Sequence, residues 1–406
     1  MKTRPIRFRE ISLKNFLSFG PAAAPIPLTN LNLIIGPNGS GKSNLIEAFE
    51  LLRAAPTDLV VPLREGGGAQ EWLWKGRPKP KEAVIDGKFS SQPELRYKLA
   101  FSPIDQGFEV TDEVLENAAP GKPGKEGVFF YYRFQEGRPV INTTPIVPSD
   151  NPSGQTETSF KRTLKREEVK TNQSIFSQRK DPEIYPEVTA VGQYFGNIQT
   201  FREWQFGRSA ALRRPQPADQ PTEDLLHNLN NLGLVLNDLE HRDGIWPRLH
   251  DYCRRFLPRF SHLTTRVQAG TIQIYLHEKG LSGPTPATRL SDGTIRFLSL
   301  LAILLGADRH PLICIEEPEL GIHPDAIALL AELLVETADV SQLVVTTHSD
   351  VLVSALTDHA ESVLVCEHAS EAGTTLTRLE SAKLAFWLDK YRLGEVWRIG
   401  EIGGNL

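Results

Sequence analysis

The stretch GPNGSGKS at residues 36–43 constrains this chain more than any other. It fits the pattern G-x-x-x-x-G-K-[ST], and its setting matters as much as its letters. LNLIIGPNGSGKSNLIEAFELL (31–52) reads as a buried strand, a glycine-rich turn and then a helix. Glycines let backbone N–H groups curl round an anion without Cβ clashes. The N-terminus of the following helix adds positive potential. Lys42 is therefore expected to reach the β- and γ-phosphates of ATP, and Ser43 to ligate Mg²⁺. Gly36, Pro37, Asn38, Gly39, Ser40, Gly41 and Asn44 complete the expected binding loop.

A chain of 406 residues suggests two to three domains, or one domain with a large insertion. The formal net charge is −5, so the whole molecule has no cationic field that would draw in nucleic acid. Any contact with DNA must come from a local patch. Cys253, Cys314 and Cys366 lie far apart and form no C-x-x-C pair. That argues against a disulfide framework or zinc ribbon and fits a reducing, cytoplasmic setting. No apolar run is long enough to cross a membrane, and the charged start MKTRPIRFREISLKNF does not read as a signal peptide.

IRFREISLKNFLSFG (6–20) alternates as a half-buried strand does. Residues 83–145 read as antiparallel strands, and the polar stretch 146–182 as a loop or mobile segment. Residues 222–262 read as helical, with Leu225, Leu229, Leu232, Leu236 and Leu239 forming a packing stripe. From TIQIYLHE onward strand and helix alternate, which predicts a parallel α/β sheet.

PLICIEEP (311–318) ends a strand in two acids. Position after the strand assigns Glu316 to Mg²⁺ and Glu317 to the attacking water, as general base. Paired glutamates are costly to bury without a cation, which disfavours a purely structural role. VVTTHSD (344–350) ends another strand in His348, placed to sense the γ-phosphate or orient the water. In ELGIHP (319–324), Pro324 suits a first helical turn. His323 either caps that helix or faces a second subunit.

The order phosphate loop, LSDGT, IEEPE, TTH resembles that of ABC-type ATPase heads. In that family two heads close around two ATP molecules, and a signature serine and glycine of one head touch the γ-phosphate held by the other. The resemblance carries these roles to Ser291 and Gly293, in a turn whose hydroxyl and exposed N–H groups suit an anion. It also implies a glutamine-containing loop that senses the γ-phosphate. Gln205 in FREWQFGRS is the candidate and Gln193 competes. The arginines nearby, Arg202, Arg208, Arg213 and Arg214, are equally suited to pairing with carboxylates.

Lys42 and Ser291 are 249 positions apart, far more than in transporter ATPases of this class. Those enzymes also carry Asp where this chain has Glu316 and Gln where it has Thr294. The long insertion, the EEPE strand end and the opening ISLKNFLSFG instead resemble the RecF/SMC-like branch. EWLWKG, QSIFSQRKDPEIYPEV, FREWQFG, LSDGTIRFLSLLAILL and LGEVWRIGEIGGN together resemble bacterial AAA family ATPases of antiviral defence operons. The resemblance implies an α/β fold: an ABC-type P-loop ATPase head, a mixed sheet with an antiparallel β subdomain, plus an inserted helical lobe. It implies a homodimer through the ATP sites, or a higher oligomer, working with a separately encoded effector, a nuclease. The expected segments are 1–90 (ATPase lobe with the phosphate loop), 91–221 (inserted β-rich and loop segment), 222–264 (helical lobe) and 265–406 (the remaining ATPase lobe with a Gly-rich tail).

SVLVCEH (362–368) superficially resembles the opening of a Toprim nuclease, but no Asp-x-Asp follows, so no intrinsic nuclease is expected. Six arginines, Arg242, Arg248, Arg254, Arg255, Arg259 and Arg266, face only Asp243 and Asp251 in 241–266. They form either a DNA-tracking surface or salt-bridged helix faces, and the basic run FKRTLKREEVK (160–170) poses the same choice. Trp397, in the tail, suggests a docking segment.

Overall fold

The structure is a computed structural model that describes residues 6–105, 107–120, 128–135, 137–143, 160–163, 169–369 and 373–403. In chain order it opens with β1 (Phe8–Lys14), β2 (Ile26–Pro27), β3 (Leu31–Ile35), α1 (Lys42–Ala54) and α2 (Val60–Glu65). Strands β4 (Ala83–Phe89), β5 (Leu95–Ile104), β6 (Gly107–Asn117), β7 (Phe130–Gln135), β8 (Arg138–Thr143) and β9 (Phe160–Thr163) come next, then α3 (Ile175–Gln178) and α4 (Pro186–Gly196). β10 (Gln199–Phe201), β11 (Gln216–Pro217), α5 (Leu232–Glu240), α6 (Ile245–Phe256), β12 (Phe260–Gln268), β13 (Thr271–Glu278) and β14 (Thr285–Pro286) follow. Then come α7 (Asp292–Leu305), β15 (Leu312–Glu316), α8 (Pro324–Ala338), β16 (Gln342–Thr346) and α9 (Asp350–Ala355). The last described elements are β17 (Val363–Ala369), β18 (Gly373–Arg378), α10 (Ser381–Leu388) and α11 (Leu393–Arg398). They form two compact units, one from residues up to Gln199 with Leu364–Leu379, the other from Thr200–Val363 with Glu380–Ile402.

The first unit is built on an antiparallel sheet of order β2-β1-β4-β5-β6-β7-β8-β9. β1 pairs directly with β4, with Ile11 opposite Gly87. The strands after residue 90 therefore continue the sheet that β1 begins, instead of standing apart as an insertion, because β1 and β4 satisfy each other's backbone groups. The sequence-based segment 91–221 is thus divided: its part up to Gln199 groups with the N-terminal lobe, and the rest belongs to the second unit. An aromatic cluster seats helices on this sheet. Phe8 meets Phe49 of α1 at 5.2 Å between ring centroids and Phe89 at 4.5 Å. Phe195 of α4 and Phe176 of α3 extend the cluster to Tyr97. Large rings of this kind carry much of a core's burial, so α1, and the loop that opens it, are held at a fixed place on the sheet. The polar stretch 146–182 lies partly outside the described residues, and the rest holds β9 and α3.

In the second unit β15 and β16 pair in parallel, Leu312 with Gln342 through Glu316 with Thr346. Both strands are buried along their apolar residues, as a central parallel pair should be. α7 is buried from Thr294 to Leu305, which makes it a core helix without a wet face. The region 222–264 is not one helical lobe. It holds a turn, α5, α6 and the start of β12, which pairs antiparallel with β13. Leu225 and Leu229 of the leucine stripe are buried, yet they belong to the turn. Asn231 holds that turn, accepting from Leu226 N and donating to the carbonyls of Pro221 and Asp224. Cys253, Cys314 and Cys366 are free and buried. Among the described residues no helix is long and apolar enough to cross a membrane.

Candidate active site

The phosphate loop belongs to the first unit. β3 is buried along its length and delivers the chain into Gly36. Pro37, Asn38 and Gly39 form the more exposed crest, and α1 starts at Lys42 with no acidic residue in its first turn. Lys42 is buried, and its Nζ donates to the carbonyls of Gly36 and Pro37 at 2.9 Å each. Behind the loop, Thr374 Oγ1 donates to Ser40 O at 2.6 Å and lies 2.6 Å from Ser18 Oγ. Asn44 Nδ2 donates to Ser18 Oγ at 2.7 Å. Gly41 caps α1 with φ 106°, and a Cβ there would meet Thr374 Oγ1 at 2.2 Å and Ser18 Oγ at 2.4 Å. Only glycine fits both that backbone and that space. Ser40 Oγ is buried without a hydrogen-bond partner, a donor that a phosphate oxygen would satisfy. The loop thus fits an anionic nucleotide tail. Cys366 packs behind it, 3.5 Å from Ser40 O, and burial pushes its thiol pKa up.

The acidic strand end belongs to the second unit. Glu317 leaves β15 in a left-handed conformation, φ 45°, which is costly for a residue with a Cβ. Its N–H donates to Thr346 O at 3.0 Å, and its carbonyl accepts from Arg296 Nη2 at 3.0 Å. Glu317 Oε1 lies 3.5 Å from His348 Nε2, with 31% and 33% of the two side chains exposed. The pair is reachable by water and partly shielded from it. Glu316 Oε2 accepts from Arg202 Nε at 3.1 Å, and Glu316 O accepts from Trp204 Nε1 at 2.7 Å. Gln205, expected at this site, is exposed between Trp204 and Phe206, and Gln193 is exposed on α4 of the other unit. Arg202 and Trp204 both reach Glu316. Among the described residues no group of three His, Cys, Asp or Glu is placed to hold a metal. A cation bound to Glu316 would complete its oxygen shell from phosphate and water, as Mg²⁺ does.

Three residues at this end escaped the sequence reading. Glu319 is buried, and its Oε1 accepts from Thr347 Oγ1 at 2.6 Å and His348 N at 3.2 Å. Burial raises its pKa, against the pull of those hydrogen bonds. Arg296 of α7 lies over the rings of Trp204 and Phe206, 4.9 and 5.1 Å from their centroids. Burial brings its pKa down to about 10, with Glu319 and Glu317 opposing that shift. Trp204 is the third. The only hints in sequence were the third acid of EEPE and the aromatic spacing of FREWQF.

The LSDGT turn is also in the second unit. Ser291 is exposed and caps α7, accepting from Thr294 N at 3.1 Å. A Cβ on Gly293 would meet Gly321 O at 2.7 Å, so glycine is needed there for packing against 319–322, whatever else it does. Arg213 is buried and supports the turn, donating to Leu290 O at 2.6 Å and pairing with Asp292. His323 is exposed and caps α8, accepting from Asp325 N at 3.3 Å. The arginines of 241–266 are largely engaged: Arg242 with Asp308, Arg248 with Glu336, Arg255 with Glu332 and Arg259 with Glu278. Arg266 lies over Tyr275. The basic run 160–170 falls partly outside the described residues.

A family model described as "AAA domain, putative AbiEii toxin, Type IV TA system" matches residues 31–354. No curated protein matches the chain. Among solved structures, an Smc head bound to the C-winged helix domain of ScpA is similar with TM-score 0.56 and 14% identity, over 93% of this chain and 99% of that one. The Smc head of Pyrococcus furiosus, with an extended coiled coil and bound to the C-terminal domain of ScpA, gives TM-score 0.56 and 14% identity over 95% and 99%. The Smc head of Pyrococcus yayanosii gives TM-score 0.50 and 12% identity over 95% and 99%. At such identities the likeness is one of fold.

Proposed function

Because the chain belongs to this AAA domain family and folds as an SMC-like, ABC-type P-loop ATPase head, we propose that it hydrolyses ATP in a Mg²⁺-dependent reaction. The observation that carries the reading is Glu317, locked in a left-handed backbone at the end of β15 with its carboxylate 3.5 Å from His348. A carboxylate held in that way can take a proton from water and direct it, while His348 orients the pair. Lys42 and the backbone N–H groups of the loop beyond Pro37 hold the β- and γ-phosphates. Ser43 and Glu316 supply oxygen donors to Mg²⁺, which offsets charge on the phosphate oxygens when bound. Arg202 neutralises Glu316 when no metal does, so it must give up or share that carboxylate as the nucleotide arrives.

In this reading two copies close on ATP, with Ser291 and the N–H groups beside Gly293 completing the site of the neighbouring copy. ATP-driven closure then presents a surface to a separately encoded effector, a nuclease, in defence against phage or mobile elements. Two of the similar Smc heads are bound to domains of ScpA, which supports a protein partner of some kind. DNA draws less support, since four of the six arginines at 242–266 already have carboxylate partners.

The test is turnover by the purified chain and by Glu317→Gln. Loss of a general base should slow hydrolysis by about 10²- to 10⁴-fold with ATP binding retained. Equal turnover in both proteins would overturn the hydrolytic reading and leave a nucleotide-binding scaffold.

A further inference from the structure

Glu317 occupies a backbone conformation it would not choose, and two side chains from outside β15 hold it there. Trp204 Nε1 donates to Glu316 O, and Arg296 Nη2 donates to Glu317 O. Consecutive carbonyls are thus pinned by separate residues. Those residues are themselves in contact, since the guanidinium lies over the Trp204 ring and over Phe206. The Trp204 and Phe206 rings are nearly parallel, 5.6 Å apart at an interplanar angle of 19°. Arg296 is buried, so its charge lies against rings and carbonyls where water is scarce. A cation gains most from an aromatic face when both are desolvated. The guanidinium suits this place because it is planar, always charged and can stack and donate at once.

We propose that Trp204 and Arg296 form a clamp that positions Glu317 for reaction and ties it to α7, the helix that the LSDGT turn begins. Arg213 extends the tie. Its Nε donates to Phe206 O at 2.7 Å while Nη1 donates to Leu290 O. The floor of the clamp and the signature turn therefore share one buried arginine. Movement of the turn reaches the carboxylate through rigid, stacked groups. Trp204 and Arg296 are positioning residues, since their hydrogen bonds to Glu316 and Glu317 run to the backbone carbonyls and not to the carboxylates.

The inference rests on the reading of Glu317 as the base, and its test separates the two. Trp204→Phe keeps an aromatic ring beneath Arg296 and removes the N–H donor together with part of the ring's area. Arg296→Lys keeps the charge and loses the planar stack. A displacement of the base near 1 Å costs on the order of 100-fold in rate, so kcat should fall by about 10- to 100-fold in each. KM for ATP and the affinity for a fluorescent ATP analogue should not change, and Trp204→Phe should unfold at the same temperature as the parent. Trp204→Phe added to Glu317→Gln should slow the reaction no further, because both act through one carboxylate. A normal kcat in both single variants, or a full additional loss in the double variant, overturns the clamp. Normal turnover by Glu317→Gln alone would overturn the reading of Glu317, and the clamp with it.

Discussion

Among the described residues, Glu113 on β6 is the most heavily buried acid outside the candidate site, with 1% of its surface exposed. Tyr97 OH donates to it at 2.7 Å, Ser174 Oγ at 2.5 Å and Ile175 N at 3.0 Å. Burial nonetheless dominates and pushes its pKa up from 4.5 to about 7, with those donors pulling the other way. Between these values the folded chain keeps a proton that the unfolded chain releases. Glu113 therefore costs stability progressively as pH rises from about 4.5 to about 7, and the cost is complete above that. Thermal unfolding across this window should show the parent losing stability relative to Glu113→Gln as pH rises. Parallel curves would refute the assignment. Sequence could not reveal this acid, because EVTDEVLEN alternates too weakly to say which of its carboxylates turns inward. Lys42 and Glu317 could be named as candidates for the opposite reason. The letters that nominate them are consecutive and lie beside a strand, so no distant contact was needed to propose them. Trp204 lies 112 positions before Glu316 and Arg296 lies 21 before Glu317, and nothing local marks either.

Among elements, α11 is the clearest addition to what could be read. Trp397 in the tail LGEVWRIGEIGGN suggested an anchored docking segment, and in the structure Leu393 and Val396 are fully buried and the helix packs on α9. Arg398 pairs with Asp350 at 3.2 Å, and Leu393 N donates to Thr357 Oγ1 at 3.0 Å. Deleting residues 392–406 should thus destabilise the second unit, beginning at the helix that follows His348. Leu393→Ala alone should cost about 2–5 kcal/mol in denaturant unfolding, as large-to-small changes at tight core sites do. A cost near zero would mean the helix is only laid on the surface. β12 was missed because FSHLTTRVQ buries only Phe260 and Leu263 and sits in an arginine-rich run, so its period of two was obscured. The leucine stripe misled in the same region. Spacings of three and four place residues on one side of a helix, but a turn braced by Asn231 buries Leu225 and Leu229 equally well.

At the scale of the whole molecule, chain order and unit membership diverge. The first unit takes residues up to Gln199 and then Leu364–Leu379, so Ser18 and Thr374 brace the phosphate loop from opposite ends of the sequence. Motif order reveals the family of fold but not such pairings, which depend on which strand edges meet. The same order of motifs yields the central claim: each hydrolytic site borrows Ser291 from another copy of the chain. Ser291 is exposed and its cap to Thr294 N needs no second copy, so a cap alone predicts little effect on turnover from a surface change. Sharing predicts much more. Ser291→Arg should bind ATP and fail to hydrolyse it, and Lys42→Ala should fail for want of nucleotide. The deciding measurement is ATP turnover by an equal mixture of the two inactive proteins. The account predicts that activity returns on mixing, one competent site per mixed pair. Full activity in Ser291→Arg alone, or a mixture as inactive as its components, would contradict it.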